Sequence, residues 1–191
     1  MKDTKQPLVI CCLHFILVLV TYPAPNDGSN EFRKALGRLH RAEDFQFIVE
    51  GLRQILMQPM SGMFRPMQRL ATTVPQIAPE TLSLFWELLQ CNRRFRSYLI
   101  DTERARDFVV LVLYYAIEAK DDPAKQGIVR MCVFILQTLS VEEKFGRKLN
   151  APFTSQETLP AILQIQNFHG SYADFLIGVC PGYFDAVVWE H

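Results

Sequence analysis

Paired cysteines, catalytic signatures and a surplus of either charge are all missing from this 191-residue sequence. Its five cysteines (Cys11, Cys12, Cys91, Cys132 and Cys180) are odd in number, scattered and flanked by apolar residues. No CxxC pair or Cys/His ligand spacing occurs, which speaks against a zinc site or a disulfide framework. Reduced, buried thiols in a cytosolic protein are the expectation. Twenty basic residues balance twenty acidic ones, so net charge is not expected to drive binding to nucleic acid or anionic lipid, and only a local patch could. There is no GxxxxGK[ST] loop, GxSxG elbow, HExxH helix or dinucleotide fingerprint. The four histidines are far apart. The carboxylate pairs Asp121/Asp122 and Glu142/Glu143 are adjacent, so on a helix they point about 100° apart rather than across a cleft. Turn and cap roles explain both. No catalytic residue, metal ligand or cofactor is expected.

What is present suits a helical core. Hydrophobic residues make up 49% and charged residues 21% of a chain long enough for one domain. Fourteen Phe and six Met are many for this size, and helical chains spend such residues on packing.

Leu8 to Val20 is a continuous apolar run behind Lys2 and Lys5. It falls short of the roughly 20 residues a bilayer span needs. Two readings fit: a buried helix, with His14 as a tolerated core histidine, or the core of a signal peptide on a small secreted helical protein. The following Thr-Tyr-Pro-Ala-Pro offers no clean cleavage site, which favours the helix. Tyr22 to Asn30 is a loop, and Glu31 to Arg41 suits a short helix. Asp44 is placed to cap a clearer one with Phe45, Ile48, Leu52, Ile55 and Leu56 on one stripe, ended by Gln58-Pro59. Met57, Met60, Met63 and Met67 around Phe64 read either as loop side chains packing down on helices or as an adaptable partner groove.

Pro79 suits a first helical position, followed by Leu82, Phe85, Trp86 and Leu89, with Asn92 as a stop. Arg93, Arg94 and Arg96 form a basic cluster that cannot share one helix face. It reads either as a solvated surface with ion pairs to Asp101 and Glu103, or as a contact for an acidic partner or lipid phosphate.

The stretch from Asp101 to Leu149 is the densest in signals. Asp101 or Thr102 can cap a helix that is uncharged from Phe108 to Ile117 and so must be covered on several sides. Asp122-Pro123 opens a second helix presenting Ile128, Met131, Cys132, Ile135, Leu136 and Leu139. Ser140-Val141-Glu142-Glu143 matches a capping box before a third helix through Phe145. Leu159, Ile162, Leu163 and Ile165 suggest one short helix, and Tyr172 to Val179 is a last apolar segment. The fold class expected is all-α, with helical hairpins stacked as an armadillo- or HEAT-like solenoid or an irregular bundle. Such a unit calls for flanking repeats, and the ending at Trp189-Glu190-His191 reads as truncated.

Three runs carry a resemblance: EFRKALGRLHRAEDFQFIVEGLRQIL, LLQCNRRFRSYLIDTERARDFVVLVLYYAIEAKDDPAKQGIVRMCVFILQTLSVEEKFGRKLNAP and HGSYADFLI. Together they resemble the Hid-1 family, the high-temperature-induced dauer-forming proteins and their fungal relatives, related to dymeclin. The most telling parts are Arg38 to Phe47 and Leu113 to Asn150. The resemblance spans residues 8–177 of a single partial helical domain, 1–191, with a divergent tail at 178–191. It implies a non-enzymatic scaffold, cytoplasmic and peripheral to Golgi membranes, that sorts secretory cargo through other proteins of the trafficking machinery and not through nucleic acid. Several members attach to membranes by a myristoylated glycine directly after the initiator Met. This chain has Lys2 there, so that anchor is not carried over.

Overall fold

Helix α6 (Arg104–Ala119) occupies the middle of the fold, as a helix apolar all round must. A computed structural model describes residues 5–24, 28–62, 77–154 and 159–179. In chain order the other helices are α1 (Lys5–Thr21), α2 (Glu31–Gly37), α3 (Ala42–Gly62), α4 (Ala78–Cys91), α5 (Arg93–Asp101), α7 (Gln126–Ser140), α8 (Glu143–Leu149) and α9 (Tyr172–Val179). Short 3-10 turns precede α7 (Pro123–Lys125) and α9 (Ala161–Leu163). Among the described residues the one β-type pairing is an isolated bridge between Pro152 and Ser171. The class is all-α, as expected.

Ten residues of α6 are buried, including Phe108, Val112, Tyr115 and Ala119. Helices α3, α5, α7, α8 and α9 and the Ala161–Leu163 turn all touch it. The chain's own helices therefore cover α6 on several sides, as its composition called for. The core is aromatic along one seam. Phe85 of α4 stacks on Phe108 of α6 with ring centroids 4.4 Å apart, and meets Phe95 of α5 edge-on at 6.4 Å. A second cluster, Phe153, Phe168 and Phe175, closes the far end under α9.

Asp122 accepts from the Ala124 amide at 3.0 Å, but it caps the 3-10 turn Pro123–Lys125; α7 itself starts at Gln126 with no side-chain cap. The α7 core stripe is as read, with Ile128, Cys132, Ile135 and Leu139 buried. Other boundaries moved. Helix α3 starts at Ala42, with Asp44 in its first turn, and continues through Pro59 to Gly62. The apolar stripe Leu52–Leu56–Met60 carries it past the proline, and the Tyr115 hydroxyl donates to the Leu56 carbonyl just before it. Neither Asp101 nor Thr102 caps α6. Asp101 ends α5, Thr102 donates back to the Tyr98 carbonyl, and Glu103 turns the chain with φ 64°. The capping box is not formed, since Ser140 stays in α7 and donates to the Gln137 carbonyl. The helix expected around Ile162 is only a 3-10 turn, although Leu159 and Leu163 are buried.

The N-terminal run is a helix, but not a buried one. Only Leu13 and Val20 of α1 are buried, while Leu8, Phe15 and Val18 are largely exposed. His14 lies outside the core, its Nε2 2.8 Å from Glu80 Oε1 of α4. Cys11 and Cys12 are exposed and Cys91 half-buried, so of the described cysteines Cys132 alone is the buried thiol expected. Met63, Phe64 and Met67, Cys180 and the tail from 180 onward lie outside the described residues.

Candidate functional site

The basic cluster sits on α5, a nine-residue helix with no acidic residue in its first turn. Asn92 fixes where that helix begins. Its side-chain oxygen accepts from the Phe95 amide at 2.9 Å, which is the N-cap bond. Its amide group donates to the carbonyls of Leu36 and Leu39, both at 2.9 Å. One fully buried side chain thus caps α5 and ties it to the end of α2. Asn30 does the same one helix earlier. It caps α2 through the Arg33 amide and donates to the Leu19 and Tyr22 carbonyls at the end of α1. Gly37 permits the close approach of α2 to α4, because a Cβ there would lie 2.7 Å from the Cys91 carbonyl oxygen.

From this anchor the three arginines diverge. Arg96 turns inward: Nε donates to Glu142 Oε1 at 2.7 Å and Nη1 to the Leu89 carbonyl at 2.8 Å, leaving its side chain 18% exposed. Arg93 and Arg94 face solvent. The structure separates Arg96 from the pair. Asp101 and Glu103 pair not with these arginines but with α8, Lys144 Nζ lying 3.2 Å from Asp101 and Lys148 Nζ 3.0 Å from Glu103. The hydrogen bond from Lys148 and the charges of Arg106 and Lys148 hold the Glu103 carboxyl below the usual range.

Truncating Arg96 to alanine should lower stability by about 1–2 kcal/mol, because a charge-assisted bond at a partly buried site is lost. The double change of Arg93 and Arg94 to alanine should stay within about 0.5 kcal/mol of the parent, as exposed substitutions do. Urea denaturation of the two variants checks the contrast.

A second ionic contact lies between α2 and α4. Arg33 Nη1 is 3.1 Å from Glu87 Oε2, without hydrogen-bond geometry, and the Glu87 side chain is almost fully buried. Burial pushes the Glu87 carboxyl up, and Arg33 opposes that rise. Burial likewise raises the Cys91 thiol beside it.

The outer face of α1 is what reading the sequence missed. Seventeen residues contain no acidic group in the first turn and no basic one in the last, and Leu8 and Phe15 are 66% and 65% exposed. The available signal was the lack of any polar stripe along that run. A shallow apolar groove lies between α1 and α2, lined by Ile16, Val20, Phe32, Leu36 and Leu39. No group of three or more His, Cys, Asp or Glu among the described residues could hold a metal ion. Likewise no helix of the described residues is long and apolar enough to cross a membrane. The described surface offers apolar and charged contact area, assembled on a rigid helical frame.

Comparison with known proteins covers most of the chain. A family model described as high-temperature-induced dauer-formation protein, Hid1, matches residues 1–181. The chain is 35% identical over 155 residues to Protein HID1 of Mus musculus, which covers 81% of this chain and 19% of that protein. It is 32% identical over 149 residues to the Ubp5-interacting protein ftp105 of Schizosaccharomyces pombe, covering 78% of this chain and 16% of that one. Protein HID1 of Dictyostelium discoideum is 27% identical over 150 residues. The chain spans less than a fifth of the length of these relatives. No solved structure gives a significant match.

Proposed function

The chain belongs to the Hid1 family of high-temperature-induced dauer-formation proteins, and from that we propose that it is part of a non-enzymatic helical scaffold. The scaffold acts in vesicle trafficking and cargo sorting at the Golgi, on the cytoplasmic side and peripheral to the membrane. The observation that carries this reading is how the fold spends its buried polar groups. Buried Asn92 and half-buried Asn30 each cap one helix while donating to carbonyls at the end of another, and the Tyr115 hydroxyl of α6 donates to the Leu56 carbonyl of α3. Large apolar side chains, meanwhile, stand on the outside of α1. Such a frame is built to hold surfaces in place for partners. One relative is named for an interaction with Ubp5, which supports protein partners for this chain as well. Arg93 and Arg94 are the basic groups free to meet an acidic partner or a lipid phosphate; Arg96 is committed to Glu142.

The test uses the protein tagged in its native cells. It should overlap a Golgi marker, and changing Arg93 and Arg94 together to glutamate should reduce that overlap without lowering protein abundance. A wild-type protein spread evenly through the cell with no Golgi enrichment defeats the reading.

A further inference from the structure

Phe47 on α3 is 81% exposed, the highest value among the large hydrophobic side chains described. The fold does not use it. Phe45, Val49, Leu52 and Leu56 carry the opposite face of α3 into the core. A phenylalanine left in water forgoes about 2 kcal/mol of burial. One helical turn on, Gly51 leaves a notch in the same face. A Cβ built there meets nothing within 4 Å among the described residues, so their packing calls for no glycine. Glycine inside a helix costs roughly 1 kcal/mol against alanine. An exposed aromatic and an unneeded notch thus sit side by side, and each is unfavourable for the isolated fold.

The rim gives the feature its sign. Glu43, Gln46, Glu50 and Gln54 surround Phe47 and Gly51, and no cation lines the groove. Glu50 is shared with Arg53, at 3.6 Å, and accepts from Gln54 at 3.1 Å. Glu43 has no ion pair among the described residues. An apolar centre inside a polar rim is the anatomy of a contact hot spot.

We propose that the Phe47–Gly51 face of α3 docks a cationic amphipathic helix of a protein partner. The partner lays a small apolar side chain into the notch beside the ring and sets lysine or arginine against Glu43 and Glu50. Small residues at a helix surface let two backbones approach, and spaced apolar anchors give such helices their register. This inference rests on the scaffold reading only in taking the partner to be a protein. It is tested on the isolated 191-residue chain, so it can fail while Golgi location holds, and the reverse.

The experiment is an unbiased peptide-display selection against the 191-residue chain, counter-selected against its Phe47→Ala variant. Enriched peptides should be helical, carry a net positive charge and lose at least tenfold in affinity when Phe47 is truncated. Gly51→Leu, which fills the notch while favouring the helix, should weaken the same peptides at least tenfold. Glu43→Lys should weaken them severalfold, more at low salt than at high salt. Unchanged circular dichroism in each variant shows that the fold is intact. Enrichment of acidic or uncharged peptides, or equal binding by the Gly51→Leu variant, overturns the proposal. So does failure to recover any sequence that tells the parent from Phe47→Ala.

Discussion

Asn92→Ala should lower the stability of this chain by about 3 kcal/mol, and Asn92→Asp should not rescue it. The loss of an N-cap acceptor alone costs about 1 kcal/mol. The rest comes from the Leu36 and Leu39 carbonyls, which accept from the buried Asn92 amide at a partly buried site; a buried group left unpaired costs roughly 1–3 kcal/mol. Aspartate is the discriminating change. At an ordinary cap, Asp and Asn are nearly equivalent. Here aspartate would keep the bond from the Phe95 amide but set a carboxylate against two carbonyl oxygens. Urea denaturation of the three proteins reads the difference. If Asn92→Asp retains parental stability, the tie to α2 contributes nothing and Asn92 is only a cap.

That double role could not be read from the sequence, and the reason is general to this fold. Asn92 was recognisable as a helix stop because polar residues with local hydrogen-bonding side chains end helices. Its two acceptors, however, lie more than fifty residues away, and no local pattern encodes them. The same holds for Arg96. As one of three clustered arginines it looks like surface charge, and only the packing of α8 against α5 brings Glu142 to it. Helix α5 itself was hidden, because its basic residues mask a stripe of Phe95, Leu99 and Ile100 that is short but fully apolar. Elements whose signal is local were readable: the uninterrupted apolar length of α6, the Asp122-Pro123 start before α7, the Pro79 start of α4. Proline at 59 misled because the chemistry of one residue was weighed against a stripe that runs on to buried Met60. The Glu103 turn misled for a different reason. A left-handed glutamate costs on the order of 1 kcal/mol, and of its two partners Arg106 is local while Lys148 is brought to it only by the packing of α8.

Of the surfaces, charge was readable and exposure was not. The run Leu8 to Val20 and the run Phe108 to Ile117 look alike as strings of apolar residues. The structure surrounds the second and leaves much of the first open. The difference lies in neighbours. α6 is met by helices from both sides of it in the chain, whereas among the described residues α1 packs chiefly on α2 and α4. Phe47 and Gly51 were likewise visible as residues, but the emptiness around them is a property of the packed object.

The largest single loss should follow Phe108→Ala. Phe108 and Phe85 are both fully buried, and their rings stack at 4.4 Å with planes 24° apart, linking α6 to α4 at the centre of the core. Phe85 in turn meets Phe95, and Phe95 meets Phe45 at 5.5 Å, so four helices share one aromatic chain. Removing a buried phenylalanine costs about 3–5 kcal/mol, and the high end applies where surrounding helices cannot collapse into the space. Collapse is blocked here because α6 is held from several sides. Phe15→Ala, on the exposed face of α1, is the control and should change stability by less than about 0.5 kcal/mol. A double-mutant cycle of Phe85→Ala and Phe108→Ala should return a coupling of roughly 1 kcal/mol, the worth of a ring pair beyond its burial. Near-zero coupling would mean that the two rings act as independent filling. The α4–α6 contact would then owe nothing to the stack.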